Sequence, residues 1–288
     1  MHARQQLENP KLVGGNTELG VEMRLKAMNY KSFINISNIN ELKEIRVIRD
    51  EKSAVLRIGA NLTLSDLIAS LKQIKSSDMI KEHEKSALDA LLSNLRWFAS
   101  TQIRNFATLA GNIVTGSPIS DLNPILMATN STLTVCSAQN GLRSIPMRNF
   151  FSGYRRVDLQ PDEILFHVDM PLPRTQLEIV RAYKQAKRKQ DDIAIVNACF
   201  RLKLDSKQNE LDTIEELDVC FGGLAPVTLY LGSLSARTKG LAWADVTVLE
   251  RIQSLILNEI DLGYSAPGGM PTYRRTLAVS FFAVRQIF

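Results

Sequence analysis

The 288-residue chain is long enough for two ordinary domains, and its 45% apolar and 23% charged residues are typical of a protein with a sizeable core. Its net charge of +5 comes from lysines and arginines without interleaved aromatic residues, which argues against nucleic-acid binding. Three isolated cysteines and three isolated histidines exclude a zinc site and a four-thiolate iron–sulfur site. Because no apolar run approaches membrane-spanning length and no secretory signal is present, we expect a cytoplasmic protein without membrane contact.

The first predicted element is a short strand at residues 11–13, followed by a glycine-rich turn at residues 14–20 and a helix at residues 21–26. Strand, glycine turn and helix in this order are typical of a phosphate-binding loop. The turn lacks the G-x-G-x-x-G spacing and the Gly-Lys-Ser/Thr ending of the common phosphate motifs. A tight connection between strand and helix, without a ligand, therefore stays open as the alternative.

Three strands are predicted next, at residues 32–36, 42–48 and 54–58, before two amphipathic helices. Ser65 is the expected N-cap of the first helix. The second helix carries the apolar positions of residues 87–95, which we assign to the core, and ends at Arg96. For Trp97 and Phe98, which follow, a core position and stacking on a planar ligand both stay open.

The stretch at residues 100–124 concentrates small and polar side chains in a way that core packing does not require. Its hydroxyls, amides, glycines and single acid are Thr108, Gly111, Asn112, Thr115, Gly116, Ser117, Ser120 and Asp121. Glycines permit close backbone approach, and successive free N–H groups bind anions. An ionised aspartate only accepts hydrogen bonds, so Asp121 suits a polyol or sugar hydroxyl. We infer an extended ligand with phosphate at Gly111 and Asn112 and a polyol at Ser120 and Asp121.

A short helix is expected to begin near Pro124, followed by strands at residues 131–136, 141–146 and 162–170 and an aromatic loop at residues 147–156. The prolines at positions 171 and 173 mark the predicted boundary between domains at residues 1–173 and 174–288. Beyond it we expect strands at residues 180–184, 193–204 and 211–222, with a turn at residues 206–209. Helices at residues 246–260 and 273–288 would complete an antiparallel sheet with helices on one side.

Several of these segments together resemble the FAD domain of the aldehyde oxidase and xanthine oxidoreductase family, in its eukaryotic form. In chain order they are residues 11–20, 96–99, 102–113, 115–124, 150–155, 183–186, 191–194 and 266–270. Residues 115–124 (Thr-Gly-Ser-Pro-Ile-Ser-Asp-Leu-Asn-Pro) are more specific than any single glycine motif. The resemblance spans nearly the whole chain and implies an α+β fold. It implies a two-lobed FAD-binding domain of the vanillyl-alcohol oxidase and carbon monoxide dehydrogenase flavoprotein (PCMH) type, followed by a small α+β domain with an antiparallel sheet and helices.

The resemblance also implies roles for individual residues. The two glycine loops would cradle the FAD diphosphate, Asp121 would accept from a hydroxyl, Phe98 would lie against the flavin ring, and Leu165 and Lys184 would complete the flavin site. The full set of implied FAD contacts is Lys11, Leu12, Val13, Gly14, Gly15, Asn16, Thr17, Glu18, Leu19, Phe98, Thr108, Gly111, Asn112, Thr115, Ser120, Asp121, Leu165 and Lys184. Tyr154 would lie in the approach of NAD. Asp121→Ala is expected to weaken FAD binding and to leave the fold intact.

The chain departs from the family pattern at three places. Ala110 stands where the family usually has the first glycine of a Gly-Gly-Asn motif, and its methyl group would crowd the diphosphate if this residue needs a positive φ. Lys187-Arg-Lys-Gln replaces the usual Ser-Arg-Arg-Glu in a loop that would tune access of NAD or oxygen. A solvated charge run remains the alternative for Lys187 and Lys189. The family also has a strand and a helix before Lys11.

The resemblance implies an electron-transfer unit that passes electrons from iron–sulfur clusters through FAD to NAD. The [2Fe-2S] clusters and the molybdenum cofactor would lie on other domains or partner chains, and the full assembly would form a homodimer in the cytoplasm or the peroxisome. No catalytic residue and no metal ligand is assigned in this chain, and turnover of purines by this chain alone is not expected. Two rivals stay open: a flavin oxidase that reduces oxygen, and a truncated fragment that acts as an interaction module without FAD.

Overall fold

The computed structural model describes residue 7, residues 10–205 and residues 212–283. In these ranges the strands are β1 (Lys11–Val13), β2 (Phe33–Asn35), β3 (Ile45–Arg49), β4 (Ala54–Gly59), β5 (Thr132–Ser137), β6 (Gly141–Pro146), β7 (Phe151–Gly153), β8 (Arg156–Val157), β9 (Ile164–Pro171), β10 (Glu178–Ala186), β11 (Ala194–Asp205), β12 (Thr213–Gly222) and β13 (Leu229–Tyr230). The α-helices are α1 (Leu19–Leu25), α2 (Leu64–Lys75), α3 (Lys85–Arg96), α4 (Thr101–Arg104), α5 (Leu109–Val114), α6 (Asn123–Ala128), α7 (Gly232–Thr238), α8 (Val246–Glu259) and α9 (Pro271–Ala283). Within the described ranges, no helix combines the length and the apolar character that a bilayer crossing requires.

A small β–α–β unit opens the fold. Strands β1 and β2 pair in parallel, with Lys11 beside Phe33, and α1 connects them. A parallel pair needs such a crossover, because its two strands run in the same direction. No residue of α1 is buried, so this helix lies on the surface and the turn before it is accessible.

A five-stranded antiparallel sheet forms the middle of the molecule, in the order β3-β4-β9-β5-β6. Alternate residues of β4 point to one face, and there Leu56 and Ile58 are fully buried. They share one apolar cluster with the leucines of α2 and α3. Burial of each such leucine or isoleucine side chain contributes about 1.5–3 kcal/mol relative to leaving it exposed.

A second antiparallel sheet, in the order β10-β11-β12-β13, follows in the C-terminal part. Alternation along β11 decides what covers each face. Ala198 and Phe200 belong to an apolar cluster with α8 and α9, whereas Cys199 belongs to the cluster of the five-stranded sheet. The sheet is therefore buried on both faces, and helices α3 and α6 contact its second face. The helices of this half, α7, α8 and α9, pack on one side of the sheet, as predicted. The other side is covered by α3 and α6 from the preceding part of the chain, which the sequence pattern did not indicate.

Local differences from the predicted elements have simple causes. Thr63 replaces Ser65 as the N-cap of α2: its backbone is extended and its Oγ1 accepts from the N–H of Asp66 at 3.1 Å. The strand predicted at residues 42–48 begins only at Ile45, because Asn40–Leu42 forms a turn of 3-10 helix. The aromatic loop contains the short ribbon of β7 and β8. The turn predicted at residues 206–209 and the end of the final helix lie outside the described residues.

Candidate functional site

A cleft of about 950 Å³ lies where the β1–α1 turn, the end of α3, the start of α5 and the start of β9 meet. This volume is at the upper end of the range for small-molecule sites, about 300–1,000 Å³. All of the implied FAD contacts line the cleft except Val13 and Lys184: Lys11, Leu12, Gly14, Gly15, Asn16, Thr17, Glu18, Leu19, Phe98, Thr108, Gly111, Asn112, Thr115, Ser120, Asp121 and Leu165. Residues that are far apart in the sequence are thus brought together around one cavity.

The β1–α1 turn offers hydrogen-bond donors to the cleft. The backbone N–H groups of residues 14–18 donate to no acceptor in the described part of the chain, and all five residues line the cavity. The turn is held by close packing: a Cβ on Gly15 would lie 1.6 Å from the carbonyl oxygen of Phe106, and one on Gly14 would lie 2.6 Å from Oδ1 of Asn61. Only glycine fits at position 15, where the contact is with backbone, and a larger residue at position 14 would have to displace the Asn61 side chain. The turn thus presents a set of free donors suited to an anion.

The second glycine loop differs from the prediction. It forms the first turn of α5, and its N–H groups already have partners: Leu109 donates to Leu62, Ala110 donates to Ala60, and Asn112 donates to Thr108. Oγ1 of Thr108 caps the helix by accepting from the N–H of Gly111 at 3.1 Å. The expected second nest of free donors is therefore absent from the described residues of this loop.

Ala110 causes no strain in this loop. It lies in the first turn of α5 and does not have a positive φ, so the methyl group that replaces the usual glycine is accommodated in ordinary helical backbone. Gly111 leaves open space instead: a Cβ there would meet only Oγ1 of Thr108 within 4 Å, at 3.3 Å. The absence of a side chain at Gly111 thus keeps part of the cleft clear.

Asn112 organises the loop that follows α5. Its Oδ1 accepts from Oγ of Ser120 at 2.6 Å and from the N–H of Leu122 at 3.3 Å. Nearby, Oγ1 of Thr115 donates to the carbonyl oxygen of Gly111 at 2.6 Å. These contacts hold the segment that carries Asp121 against the cleft, so four of the predicted ligand residues also support one another.

Asp121 and Lys184, which are 63 residues apart in the sequence, form a buried ion pair with a 2.8 Å contact between Oδ2 and Nζ. Burial raises the pKa of Asp121, and the Lys184 ammonium and the Asn197 amide oppose this rise. Among the described residues, the remaining oxygen, Oδ1, has only a 3.5 Å contact from Asn197, and it stays available to accept from a ligand hydroxyl. Lys184 therefore contributes to the cleft through Asp121, without lining it.

This pairing corrects the expectation for Asp121→Ala. The side chain of Lys184 is only 4% exposed. Removing its partner would leave a buried ammonium group without a counter-charge, which is strongly destabilising. The variant would therefore lose stability as well as change the cleft.

Apolar side chains complete the lining. Phe98 and Leu165 both line the cleft, and Phe98 also packs against the main apolar cluster. Trp97 is 36% exposed and lies against the guanidinium of Arg96 with a centroid distance of 4.9 Å. Of the two aromatic residues, only Phe98 is thus placed to contact a ligand.

Tyr154 is 62% exposed and lies outside the lining, whereas its neighbour Arg155 lines the cleft. Nη1 of Arg155 contacts Oε1 of Glu18 at 2.8 Å and Oε1 of Glu22 at 3.0 Å. Glu22 also accepts from the hydroxyl of Tyr30 at 2.8 Å. Sequence reasoning missed this ion-pair cluster, because no local spacing relates Arg155 to a helix that lies more than a hundred residues before it. The family resemblance includes residues 150–155, but it implied no role for Arg155.

The loop after β10 turns back on itself. The N–H of Arg188 donates to Oδ2 of Asp192 at 2.7 Å, and its Nη2 donates to the carbonyl oxygen of Asp191 at 2.6 Å. Arg188, Asp191 and Asp192 line the cleft, whereas Lys187 and Lys189 are exposed and do not. The two lysines therefore behave as solvated charges, and Arg188 belongs to the site.

These features together suit a dinucleotide with a planar ring. Free N–H donors and the open space at Gly111 suit a diphosphate, Oδ1 of Asp121 suits a hydroxyl, and Phe98 with Leu165 supplies apolar surface for a ring. Residues 1–173 match the family described as FAD binding domain in molybdopterin dehydrogenase. The chain belongs to this family. Residues 181–284 match the CO dehydrogenase flavoprotein C-terminal domain.

Individual relatives agree with this FAD-binding family. The chain is 39% identical over 282 residues to xanthine dehydrogenase of Oryza sativa subsp. japonica, covering 98% of this chain and 20% of that protein. It is 40% identical over 273 residues to nicotinate hydroxylase of Emericella nidulans, covering 94% of this chain and 20% of that protein. The chain thus spans about a fifth of the length of these curated relatives.

A solved structure shows the same fold. Carbon monoxide dehydrogenase from Hydrogenophaga pseudoflava superposes with a TM-score of 0.81 at 20% identity, covering 98% of this chain and 90% of that chain. The predicted α+β fold of the carbon monoxide dehydrogenase flavoprotein type and the resemblance to the xanthine oxidoreductase family are both confirmed. Among the described residues, no cluster of histidine, cysteine and acidic side chains is arranged to hold a metal ion.

Proposed function

We propose that the cleft holds FAD and that the chain is the flavin unit of a molybdenum hydroxylase. One observation carries this proposal: the free donors of residues 14–18, the acceptor Oδ1 of Asp121 and the ring of Phe98 share a single cleft of about 950 Å³. Each suits a different part of the cofactor, and no smaller ligand needs all three. Membership of an FAD-binding family supports the same assignment.

The chain's own residues would bind and orient the cofactor. The N–H groups of residues 14–18 would donate to the diphosphate, and Gly111 would allow it to approach closely. Oδ1 of Asp121 would accept from a hydroxyl of the polyol or sugar. Phe98 would lie against the ring, and Leu165 would form part of the apolar wall.

Lys184 would act on the ring through its charge. Its ammonium group is held 2.8 Å from Asp121, beside the cleft, where a positive charge favours electron density on a nearby ring. When bound, FAD supplies the redox chemistry, and the protein supplies binding, orientation and electrostatics. We assign the binding role to the β1–α1 turn and the electrostatic role to the Asp121–Lys184 pair.

In the wider enzyme, electrons would come from iron–sulfur clusters and a molybdenum centre on other domains or partner chains and would leave to NAD. The relatives are about five times longer than this chain, which is consistent with further domains in the full assembly. We assign the approach of NAD to exposed Tyr154, which precedes the cleft-lining Arg155. We also propose a division into residues 1–173 and 174–288, which the separate matches to residues 1–173 and 181–284 support.

The acceptor is tested with the purified, FAD-loaded chain after one-step chemical reduction without oxygen. Mixing with NAD⁺ is expected to reoxidise the flavin and to form NADH. Reoxidation by oxygen with no reaction with NAD⁺ would favour the oxidase instead. A folded chain that takes up no FAD would overturn the proposal and favour the interaction module.

A further inference from the structure

The backbone that carries Phe98 is held by two cations from different parts of the fold. Helix α3 ends at Arg96, and the carbonyl groups that follow have no partner within the helix. Nζ of Lys184 donates to the carbonyl oxygen of Trp97 at 2.9 Å. Nη1 of Arg104 donates to the carbonyl oxygens of Phe98 at 2.6 Å and of Ala99 at 2.8 Å. Three consecutive carbonyl groups are thus each bound by a positive charge.

The conformation of this turn needs such support. Ala99 has a φ of 38°, in the left-handed region that a residue with a Cβ adopts only at a cost. The chain then enters α4, whose N-cap is Ser100, and Arg104 reaches back from the end of that helix. Nη2 of Arg104 also donates to Oγ1 of Thr101 at 2.9 Å, which fixes the plane of the guanidinium group. We call the hydrogen bonds from Arg104 to Phe98, Ala99 and Thr101 the clamp; together with the strained turn they form one local unit.

The clamp bears directly on the cleft. Phe98 and Ala99 both line it, whereas Arg104 does not. Nζ of Lys184 also pairs with Asp121, so its hydrogen bond to Trp97 links the turn to the acid of the cleft. In the described residues, the carbonyl groups of Phe98 and Ala99, which precede α4, are bound by Arg104. Its effect on a bound ligand therefore passes through the two lining residues that it holds, and of these only Phe98 carries a ring.

We propose that Arg104 is a positioning residue that holds the ring of Phe98 in the cleft at the place where it would contact an isoalloxazine ring. The proposal deepens the proposed function and rests on it for the identity of the ligand. Aromatic contact depends on ring offset and angle, so a small shift of this turn weakens it. Glutamine at this position would remove the positive charge and the longer reach that hold both carbonyl groups, and Ala99 could then relax.

The test uses the single variants Arg104→Gln, Arg104→Lys and Phe98→Ala and the double variant Arg104→Gln with Phe98→Ala, all in the full chain. Arg104→Gln is expected to raise the Kd for FAD about three- to tenfold and to increase the fluorescence of bound flavin, because aromatic contact quenches it. Arg104→Lys is expected to recover part of the effect, since it keeps the positive charge but lacks the planar, multidentate guanidinium group. Arg251→Gln, on the exposed side of α8, is the matched control and is expected to match wild type.

The double variant decides whether Arg104 acts through Phe98. In the Phe98→Ala background, Arg104→Gln is expected to change the Kd by less than twofold, because the ring that it positions is gone. An equal effect in both backgrounds would show independent, additive action and would overturn the proposal. Wild-type fluorescence and affinity in Arg104→Gln would overturn it as well.

A measurement without FAD separates this claim from the proposed function. The chain has two tryptophans, so a Trp243→Phe background leaves Trp97 as a reporter next to Phe98. Arg104→Gln is expected to increase quenching of Trp97 by acrylamide at least twofold, and Thr101→Ala is expected to have a smaller effect in the same direction. Unchanged quenching in both variants would refute the clamp even if FAD binds. Changed quenching in a chain that does not bind FAD would support the clamp and refute only the proposed ligand.

Discussion

Gly111→Ala should change stability and cofactor binding in opposite directions. Gly111 is the third residue of α5 and has no positive φ, so alanine fits its backbone. A Cβ there would lie 3.3 Å from Oγ1 of Thr108 and would meet nothing else within 4 Å. The methyl group would therefore project into the space that the cleft keeps clear.

The two magnitudes follow from different contacts. Alanine is favoured over glycine in a helix by about 0.8–1.0 kcal/mol. The contact with Thr108 reduces this gain, so we expect the free energy of unfolding to rise by about 0–1 kcal/mol. For FAD, an additional methyl group against a closely packed diphosphate costs about 1–3 kcal/mol, which corresponds to a Kd about 5- to 150-fold higher.

The assay compares urea unfolding of the chain without FAD with titration by FAD. Gly263→Ala is the matched control, because a Cβ there meets nothing within 4 Å and Gly263 lies outside the cleft lining. Gly15→Ala is the opposite reference and should lose both stability and binding, because its Cβ would overlap the backbone of Phe106. If Gly111→Ala binds FAD as wild type does, the diphosphate does not lie beside Gly111 and the reasoning is refuted.

Three further variants test the charges around the cleft. Lys184→Met leaves the buried carboxylate of Asp121 unpaired, so the pKa of Asp121, which burial already raises, should rise further. The free energy of unfolding should fall by about 3 kcal/mol at neutral pH, and by less at a pH below the pKa of Asp121 in the unfolded chain. Urea unfolding at the two pH values measures both losses. Arg49→Gln removes the partner of buried Glu84, whose pKa is lowered in the wild type because the hydrogen bonds from Arg49 and from a backbone N–H outweigh burial. The wild type should lose stability as pH falls through that lowered pKa. The variant should be destabilised by about 2 kcal/mol at pH 7, and protonation of its Glu84 should cause no further loss of stability. Parallel acid unfolding curves would contradict this. Arg155→Gln frees two carboxylates next to the phosphate-binding turn, and the Kd for FAD should rise about two- to fivefold in a titration at low salt; an unchanged Kd would show that Arg155 does not offset their charge.

Periodic patterns predict much of this fold. The leucine spacing of α3 gives its buried face correctly, and the apolar pattern of β11 indicates a strand along nearly its full observed length. The pattern does not say what each face meets. Cys199 and Ala198 are both fully buried but belong to different apolar clusters. Only tertiary packing separates them, so the second covered face of the sheet could not be predicted.

The candidate site shows a similar division. Glycine and hydroxyl motifs identify the two loops, because a ligand that approaches the backbone requires small residues there. They do not show which N–H groups the fold itself uses, and at Leu109 and Asn112 those groups are already bound. The Asp121–Lys184 pair joins two segments by a contact that no local spacing encodes. In this cleft, the charge contacts between distant segments therefore could not be predicted from the sequence.

The most direct test of the account is the stoichiometry of FAD binding by the purified wild-type chain, measured by titration with fluorescence detection. One FAD per chain with strong loss of flavin fluorescence is the predicted result, since Phe98 lines the same cleft as the free donors of residues 14–18. A folded chain that leaves the fluorescence of added FAD unchanged would contradict the assignment of the cleft.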